Sequence, residues 1–181
     1  TGNRGQTSAP VDVFEVTDGF ILLAVTGNPL YRRWAKLMAA DPATAEPGDP
    51  DWLTDPRFAT DESRGIHRDI LSDRMGRWCR PRDTATVVTT LGDAMIPAAP
   101  VLSPQQSLDH PQVQALGILQ PVDYPGLRVP APVANVPIWM SETQAVPRQR
   151  APTIGEHTDA VLGELGYSAD AIATLRAQQV V

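Results

Sequence analysis

The sequence predicts an α+β protein: a small domain with a β-hairpin or short antiparallel sheet and several helices, then a proline-rich crossing segment and C-terminal helices. Three observations predict this class. Two β-prone runs flank an Asp-Gly pair near the start, later stretches repeat apolar residues at helical spacing, and seven prolines fall between Pro121 and Pro152. A chain of 181 residues is long enough for one domain, or two small ones, with a real core.

The hairpin is predicted between Val11–Val16 and Phe20–Val25, joined by Thr17-Asp18-Gly19. Asp-Gly between two β-prone runs is the strongest short hairpin signal, because glycine accepts the positive φ that the turn needs. Residues 1–10, which precede it, are rich in Gly, Ser, Thr and Asn. They are predicted to form a loop or linker.

Two amphipathic helices are predicted next. Asn28 is expected to cap the first, with Pro29 at the first helical position and an apolar face through Trp34 and Met38. After a loop over 41–56, the second is predicted as one long helix over 62–80. Its core-facing residues are expected to be Ile66, Ile70, Leu71, Met75, Trp78 and Cys79. Its charged residues, expected to face mostly outward, are Arg64, Arg68, Asp69, Asp73, Arg74 and Arg77.

Shorter elements are predicted for the rest of the chain. A helix capped by Asp83 or Thr84 is expected to end at Gly92, followed by an edge strand within 96–102 and two helical turns within 103–117. A second hairpin is predicted from 118–123 and 127–129. The chain is expected to close with helices over 158–165, capped by Thr158 or Asp159, and over 168–178. In the first of these, Val161, Leu162 and Leu165 are expected to be buried.

Composition narrows the class of protein. The net charge is −6, and no basic patch is dense enough to indicate a nucleic-acid partner. The longest apolar run, Phe20–Val25, is far shorter than the roughly 18 residues of a membrane span. The single Cys79 excludes an internal disulfide framework and fits a reducing cytosol, so we expect a cytoplasmic protein with no membrane partner. The chain opens at Thr1 without Met, which indicates a fragment, a processed piece or half of a split polypeptide.

Conventional catalytic and metal-binding motifs are absent from the sequence. There is no phosphate-binding glycine loop and no nucleophile elbow. His67, His110 and His157 lie far apart without paired ligand spacing, so no metal site is predicted. Cys79, on the apolar side of a helix, fits a small buried hydrophobe better than a nucleophile.

Three features leave two interpretations open. His157, beside Glu156 at a helix start, either contacts a site or interface or orders the beginning of the helix locally. Arg64 is either a solvated helix residue or a ligand contact. The loop of Gly2 to Gln6 either brings backbone N–H groups close to a ligand or is a floppy linker.

A series of short motifs occurs in one order along the chain. They are Gly2-Asn3-Arg4-Gly5-Gln6, Val13 to Ile21 with Asp18-Gly19, Ala24 to Asn28, Trp34 to Leu37, Asp55 to Thr60 followed by Arg64, Pro97 to Val101, Asp109 to Val113, and Gly155-Glu156-His157-Thr158. In wording and order this series resembles the family III CoA-transferases (the CaiB/BaiF family). That family includes formyl-CoA transferase, carnitine CoA-transferase and α-methylacyl-CoA racemase.

The resemblance implies an enzyme that moves CoA between an acyl-CoA and a free carboxylic acid. In the family, an Asp of a large N-terminal domain attacks the thioester, giving a mixed anhydride and then an enzyme–CoA thioester. No segment here matches the region that carries that Asp. The chain is therefore expected to be a C-terminal part without a catalytic residue, inactive until an N-terminal half completes it. The CoA thioester is a substrate, and no tightly bound cofactor is expected.

The resemblance also implies a division of the chain and roles for named residues. Residues 1–10 correspond to a linker and Gly-rich loop, 11–117 to the small domain, 118–150 to the crossing segment, and 151–181 to helices that return to a missing large α/β domain. The residues expected near substrate or CoA are Gly2, Asn3, Gly5, Gln6, Asn28 and Arg64. The residues expected to form a structural signature are Asp18, Gly19, Gly155, Glu156, His157 and Thr158.

Asn28 bears on the choice of reaction. At the position of Asn28, the resemblance implies that the racemase branch carries Glu before the proline, as part of its proton-transfer site. Asn cannot act as an acid or base at neutral pH, which favours CoA transfer over racemisation. Because family dimers are interlocked, the resemblance also implies an interlocked homodimer for the complete enzyme. A non-enzymatic alternative is an assembly module, in which the crossing segment 118–150 would bind a partner chain.

Overall fold

The computed structural model describes residues 2–143, 145 and 149–181. The chain divides into two compact units, Thr1–Ser103 and Pro104–Val181, called here the N-terminal unit and the C-terminal unit. Both contain helices and antiparallel strands, which confirms the α+β class. The predicted crossing segment falls partly on residues 144 and 146–148, which lie outside the described residues.

A three-stranded antiparallel sheet forms one layer of the N-terminal unit. Its strands are β1 (Val11–Val16), β2 (Gly19–Ala24) and β3 (Ala98–Pro100), in the order β1-β2-β3. The register pairs Phe14 with Ile21, and alternate side chains of β1 and β2 are buried. The predicted first hairpin and edge strand are confirmed. The other sheet face leaves Phe20 and Leu22 about half exposed.

Four helices complete the N-terminal unit: α1 (Gly27–Ala39), α2 (Asp61–Ile66), α3 (Arg68–Cys79) and α4 (Thr84–Asp93). Helix α3 packs on β1, and α4 packs on β2 and β3. Short 3-10 turns at Pro42–Thr44 and Pro56–Phe58 interrupt the connection between α1 and α2. The core between the sheet and the helices includes fully buried Trp34, Leu71 and Met75.

The prediction of one long helix over 62–80 is wrong in its first part. Helix α2 ends at Ile66, and His67 leaves helical geometry with φ −97° and ψ 22° before α3 begins. Thr60 starts α2 with a capping box that it shares with Ser63. The break changes which side chains are buried, since Ile66 is 73% exposed and Arg64 only 1%.

Arg74 contradicts the prediction of an outward-facing charge even more strongly, because it is completely buried. Its Nη1 donates to the carbonyl and hydroxyl oxygens of Thr44 at 2.8 and 2.6 Å, and its Nη2 donates to the carbonyls of Met38 and Asp41 at 2.8 and 2.9 Å. The guanidinium therefore closes the loop after α1 by satisfying carbonyl groups that would otherwise lack donors.

The described residues of the C-terminal unit form four helices and a two-stranded sheet. The helices are α5 (Pro104–Asp109), α6 (Pro111–Ala115), α7 (Thr158–Glu164) and α8 (Ala169–Ala177). The predicted turns before residue 117 and both C-terminal helices are confirmed. Their packing differs from the prediction, since Val161 on α7 is 50% exposed and Leu165, at its C-cap, is 70% exposed. The expected cap at Thr158 or Asp159 is also wrong, because His157 occupies the N-cap position and makes no side-chain cap.

The second hairpin has a longer loop than predicted. Strands β4 (Leu119–Val122) and β5 (Ala131–Ala134) pair antiparallel, so the expected strand at 127–129 is wrong. Pro121 pairs directly with Pro132. Neither proline has an N–H to donate. Two prolines can therefore face each other only at a non-hydrogen-bonded position of the antiparallel ladder.

Candidate functional site

Arg64, which is itself buried, is the centre of a polar cluster between α1 and α2. Its Nη1 donates to the carbonyl of Phe58 at 2.7 Å, and its Nη2 donates to Asn28 Oδ1 at 2.9 Å and to Asp61 Oδ1 at 2.5 Å. The guanidinium carbon lies 4.5 Å from the centre of the Tyr31 ring, within the range of a cation–π contact. Nε has no partner among the described residues. The interpretation of Arg64 as a solvated residue is therefore wrong.

Asp61 joins this cluster to the beginning of α1. Both of its carboxylate oxygens accept from the Gly27 N–H, at 3.0 and 2.9 Å. This carboxylate satisfies a free N–H at the helix start and lies where the helix dipole favours negative charge. Thr26 occupies the N-cap position without a side-chain cap, so the prediction of Asn28 as the cap is wrong. Asn28 lies inside the helix, and its side-chain oxygen is free to bind Arg64.

The aromatic residues beneath the cluster explain why it is rigid. Tyr31, Trp34, Trp52 and Phe58 form a chain of ring contacts with centroids 5.6 to 6.2 Å apart. The Tyr31 hydroxyl donates to the Trp52 carbonyl at 2.7 Å, and burial raises the pKa of this phenol. The rings hold the loop before α2 against α1, so the donors of Arg64 meet fixed acceptors.

A cavity of about 220 Å³ opens beside this cluster. The residues that bring polar groups to it are Asn28, Arg32, Thr54, Asp55 and Arg64. Asp55 is already held by Arg57, whose Nη2 lies 2.7 Å from Oδ2, and this hydrogen bonding keeps the pKa of Asp55 below its ordinary value. Asp55 therefore stays ionised and paired at neutral pH.

The Gly-rich loop is anchored at its base to the rest of the N-terminal unit. The Gly5 N–H donates to the Val11 carbonyl at 2.8 Å, and Arg4 pairs with Asp12 at 3.2 Å and with Asp69. Gly2 and Asn3, at the loop tip, are exposed. Of the two interpretations of this loop, the floppy linker does not describe residues 4–6.

Gly65 connects the loop to the Arg64 cluster. A Cβ at position 65 would lie 2.7 Å from the Gln6 carbonyl oxygen and 3.0 Å from the Thr7 carbonyl carbon, both of which are backbone atoms. Only glycine allows this approach without a shift of the chain. Gly65 follows Arg64 directly in α2. Helix α2 therefore contacts Gln6 through Gly65 and Asn28 through Arg64. The structure thus brings together two of the segments expected near substrate.

Asp18 and Gly19 have a different setting. The Asp18 carboxylate accepts from the Thr84 hydroxyl at 2.7 Å and from the Thr84 N–H at 2.8 Å, and these bonds lower its pKa. The Thr17 N–H donates to the Arg82 carbonyl at 2.9 Å. The hairpin turn is therefore tied to the start of α4, a placement that suits a structural role.

The segment Gly155 to Thr158 lies in the C-terminal unit, just before α7. Arg150 donates two hydrogen bonds of 2.7 Å to the Glu156 carboxylate, which also accepts from the Thr153 N–H at 2.8 Å. This bonding lowers the pKa of Glu156 to about 2. Gly155 has φ +79°, in the left-handed region that favours glycine. His157 is exposed, and its imidazole forms no hydrogen bond within the described ranges.

Two other sequence candidates are unsuited to chemistry. Cys79 is completely buried, and this raises the pKa of its thiol to about 12, so the nucleophilic thiolate does not form at neutral pH. Within 2–143, 145 and 149–181, no group of three His, Cys, Asp or Glu side chains is placed to hold a metal ion. No helix of these residues is long and apolar enough to cross a membrane.

Sequence reasoning missed Asp61 as a member of the site. The bond from Asp61 to Gly27 joins residues 34 positions apart, so no local pattern indicates it. One signal was present: Thr60-x-x-Ser63 is a capping box, which would have started a helix at Asp61 and placed Arg64 in its first turn.

Comparisons with known proteins show the family of this chain. The family model of CoA-transferase family III matches residues 1–158. A succinyl-CoA:mesaconate CoA-transferase of Haloarcula marismortui is 30% identical over 165 residues, which are 91% of this chain and 39% of the relative. A succinate–glutarate CoA-transferase of Agrobacterium fabrum is 32% identical over 91% of this chain and 38% of its own length. A formyl-CoA:oxalate CoA-transferase of Escherichia coli O157:H7 is 34% identical over 74% of this chain and 32% of its own.

Solved structures share the fold. A crystal structure of a CaiB/BaiF family protein from Brucella suis aligns with a TM-score of 0.58 at 24% identity, covering 91% of this chain and 40% of that one. The crystal structure of Rv3272 from M. tuberculosis aligns with a TM-score of 0.59 at 22% identity, covering 84% and 40%. The chain spans about two fifths of the length of these relatives. With the family model matched over 158 of 181 residues, the chain belongs to the family III CoA-transferases.

Proposed function

We propose that this chain is the C-terminal part of an enzyme that moves CoA between an acyl-CoA and a free carboxylic acid. The observation that carries the proposal is the family match, which runs through nearly the whole chain. The three relatives named above differ in their acids, but each is named as a CoA-transferase. The reaction type is therefore better supported than the identity of the acids.

The nucleophile is proposed to come from an N-terminal portion. A carboxylate that attacks a thioester must be ionised and free to approach the carbonyl carbon. Among the described residues, five carboxylates have lowered pKa values, and each is held by structural hydrogen bonds: Asp18, Asp49, Asp51, Asp55 and Glu156. Asp61 is likewise engaged by Gly27 and Arg64. These pairings support a division of labour in which this chain positions substrate and another segment reacts with it.

The contribution of this chain is proposed to centre on α2. Gly65 fixes the base of the Gly-rich loop through Gln6, and Arg64 fixes Asn28 at the cavity. One short helix thus holds both segments that we expect near substrate. In this proposal the loop tip at Gly2 and Asn3 shields the reacting thioester from water, which would otherwise hydrolyse it.

CoA transfer is favoured over racemisation by the chemistry of Asn28. A carboxamide neither gives nor takes a proton at neutral pH, and its oxygen is committed to Arg64 at 2.9 Å. The two reactions differ in one observable. A racemase exchanges the α-proton of a 2-methylacyl-CoA with solvent deuterium, whereas a transferase leaves that proton in place.

The test is a CoA-transfer assay on the chain joined to the portion encoded directly upstream. Succinyl-CoA would be offered with mesaconate or glutarate, and formyl-CoA with oxalate, while product thioesters are followed by mass spectrometry. We expect a new acyl-CoA that depends on the acceptor acid, and no α-deuterium in a 2-methylacyl-CoA incubated with the same protein in a parallel reaction in deuterium oxide. Deuterium exchange without acceptor-dependent product would overturn the proposal in favour of racemase chemistry. Rapid turnover by the isolated chain would overturn the proposed division of labour.

A further inference from the structure

The cavity beside the first turns of α1 carries a positive charge that no described residue neutralises. Arg32 lines this cavity and forms no hydrogen bond or ion pair with any residue in the described part of the chain. Arg64 lies behind it, 1% exposed. An arginine without a partner at the mouth of a cavity is a candidate for binding an anion, because its planar guanidinium suits carboxylate and phosphate.

The acidic residues around the cavity leave the charge of Arg32 uncompensated. Asp55, in the lining, is paired with Arg57 through bonds of 2.7 and 3.1 Å. Asp61 is paired with Arg64. Asp51, on the same loop but outside the lining, accepts from two backbone N–H groups of that loop. Asp55 and Asp61 therefore each already have an arginine partner, and Asp51 is held by backbone N–H groups.

The side-chain amide of Asn28 supplies a directional donor at the same place. Its Oδ1 accepts from Arg64, which fixes the orientation of the amide because a guanidinium donates only to the oxygen end. The opposite end is the NH₂ group, and it forms no hydrogen bond within the described ranges. Two N–H donors are thus held beside the cavity without an acceptor.

Position along the helix brings these groups together. Asn28 and Arg32 are four residues apart in a helix of 13 residues, so they lie on one side of its first turns. The first N–H of the helix, that of Gly27, is already bound by Asp61, so the two side chains supply the free donors at this turn. A volume of about 220 Å³ accommodates one oxyanion with a few waters and is too small for a whole CoA molecule.

We propose that this cavity binds an oxyanion, with Arg32 as its charge partner and the Asn28 NH₂ group as its directional donor. The identity of this oxyanion rests on the proposed function. If that function holds, the oxyanion is either a carboxylate of the acid substrate or a phosphate of CoA. Arg64 acts as a positioning residue, since it orients Asn28 while its own Nη atoms are occupied.

The test measures binding of succinate and, separately, of inorganic phosphate to the full chain by NMR titration at low ionic strength. We expect saturable shifts at residues around Asn28. Arg32→Gln is expected to weaken binding about tenfold, the usual worth of one charge-assisted contact. Lys36→Gln is the matched control, because Lys36 is a cation one turn further along α1 and does not line the cavity. The Lys36→Gln variant is expected to bind the anion with an affinity within about twofold of the wild-type value.

A second variant tests the amide. Asn28→Asp keeps the shape and an oxygen for Arg64 but replaces the NH₂ donor with a negative oxygen, so binding is expected to fall by at least the same factor. The urea unfolding midpoint of Asn28→Asp would be measured alongside its binding. If the two neighbouring carboxylates at 28 and 61 destabilise this variant, the test depends on Arg32→Gln. Tighter succinate binding assigns the site to the acid, and tighter phosphate binding assigns it to CoA.

Two results would overturn the inference. One is the absence of saturable binding of either anion to the wild-type chain. The other is equal weakening by Arg32→Gln and Lys36→Gln, which would mean diffuse attraction to the surface of α1. Because binding is measured without turnover, these results are independent of the CoA-transfer assay.

Discussion

The two units of the chain differ sharply in how they bury apolar side chains. In the N-terminal unit, Trp34, Leu71 and Met75 are completely buried among the sheet and helices. In the C-terminal unit, Ile172 is the buried hydrophobic residue among those described, while Trp139 is 79% and Leu165 70% exposed. Exposed apolar side chains favour binding to other protein where they lie together. The first unit therefore holds its own core, and we propose that the remainder of the enzyme covers the second.

Replacing one tryptophan in each unit tests this contrast most strongly. Trp34→Ala removes a ring with no exposed surface that contacts Tyr31 and Trp52, and we expect a loss of about 4 kcal/mol in the free energy of unfolding. Trp139→Ala removes an exposed ring, and we expect a change within about 0.5 kcal/mol. Urea unfolding followed by circular dichroism compares them. A large loss from Trp139→Ala in the isolated chain would contradict the contrast.

The buried arginine of α3 should give the next largest effect. Arg74→Met fills similar space but leaves the carbonyls of Met38, Asp41 and Thr44 without their donor, so we expect a loss of about 3 kcal/mol. Arg80→Met, at the exposed end of the same helix, is the control and should change stability by less than about 0.5 kcal/mol. Equal urea midpoints for the two variants would show that Arg74 is not needed to close the loop.

Replacing either of two helical glycines by alanine should change the free energy of unfolding, with opposite signs at the two positions. Gly65→Ala would push a methyl group to 2.7 Å from the Gln6 carbonyl oxygen, and we expect a loss of about 1–2 kcal/mol with displacement of the Gly-rich loop. Gly76→Ala meets nothing within 4 Å, so the better helix propensity of alanine should add about 0.5–1 kcal/mol. Tryptic cleavage after Arg4 reports on the loop and should speed up only in Gly65→Ala. A stabilised Gly65→Ala would contradict the close packing.

The smallest effect is expected in the C-terminal unit, from Glu156. Its pKa is lowered from 4.5 to about 2, so its bonds to Arg150 and Thr153 stabilise the folded segment above pH 4.5. This stabilisation should be lost as the pH falls from 4.5 towards 2, and Glu156→Gln should abolish that dependence. The carboxyl carbon shift of Glu156 in an NMR titration measures the midpoint directly. A midpoint near 4.5 would contradict the hydrogen-bonded arrangement.

Local signals in the sequence were enough to predict most elements but not the buried charges. The first hairpin, both C-terminal helices and the α+β class follow from turn residues and periodicity. Arg74, however, lies three residues after Leu71 and four before Trp78, on the buried face of α3. Its charge suggested an outward position, although its spacing indicated the core. For buried arginines, periodicity was the better guide because backbone carbonyls served as partners.

Several members of the candidate site were predictable from the sequence, but Asp61 and the connections between the members were not. The resemblance singled out Asn28, Arg64 and the Gly2 to Gln6 loop, but no pattern in the sequence shows that α2 links them. The cap of α1 shows why. Asn28 has the right chemistry for an N-cap, yet Asp61, which lies 34 residues after Gly27, supplies the acceptor for the Gly27 N–H. Such long-range competition depends on tertiary packing and leaves no local trace.

The central claim is that this chain completes a CoA-transferase without supplying its nucleophile. It is tested most directly by adding the purified chain to the separately purified N-terminal portion and measuring CoA transfer to the acceptor acid. We predict no turnover by either piece alone, and activity that rises with added chain to a plateau at equal amounts of the two. Turnover by the chain alone, or full activity of the N-terminal portion without it, would contradict the claim.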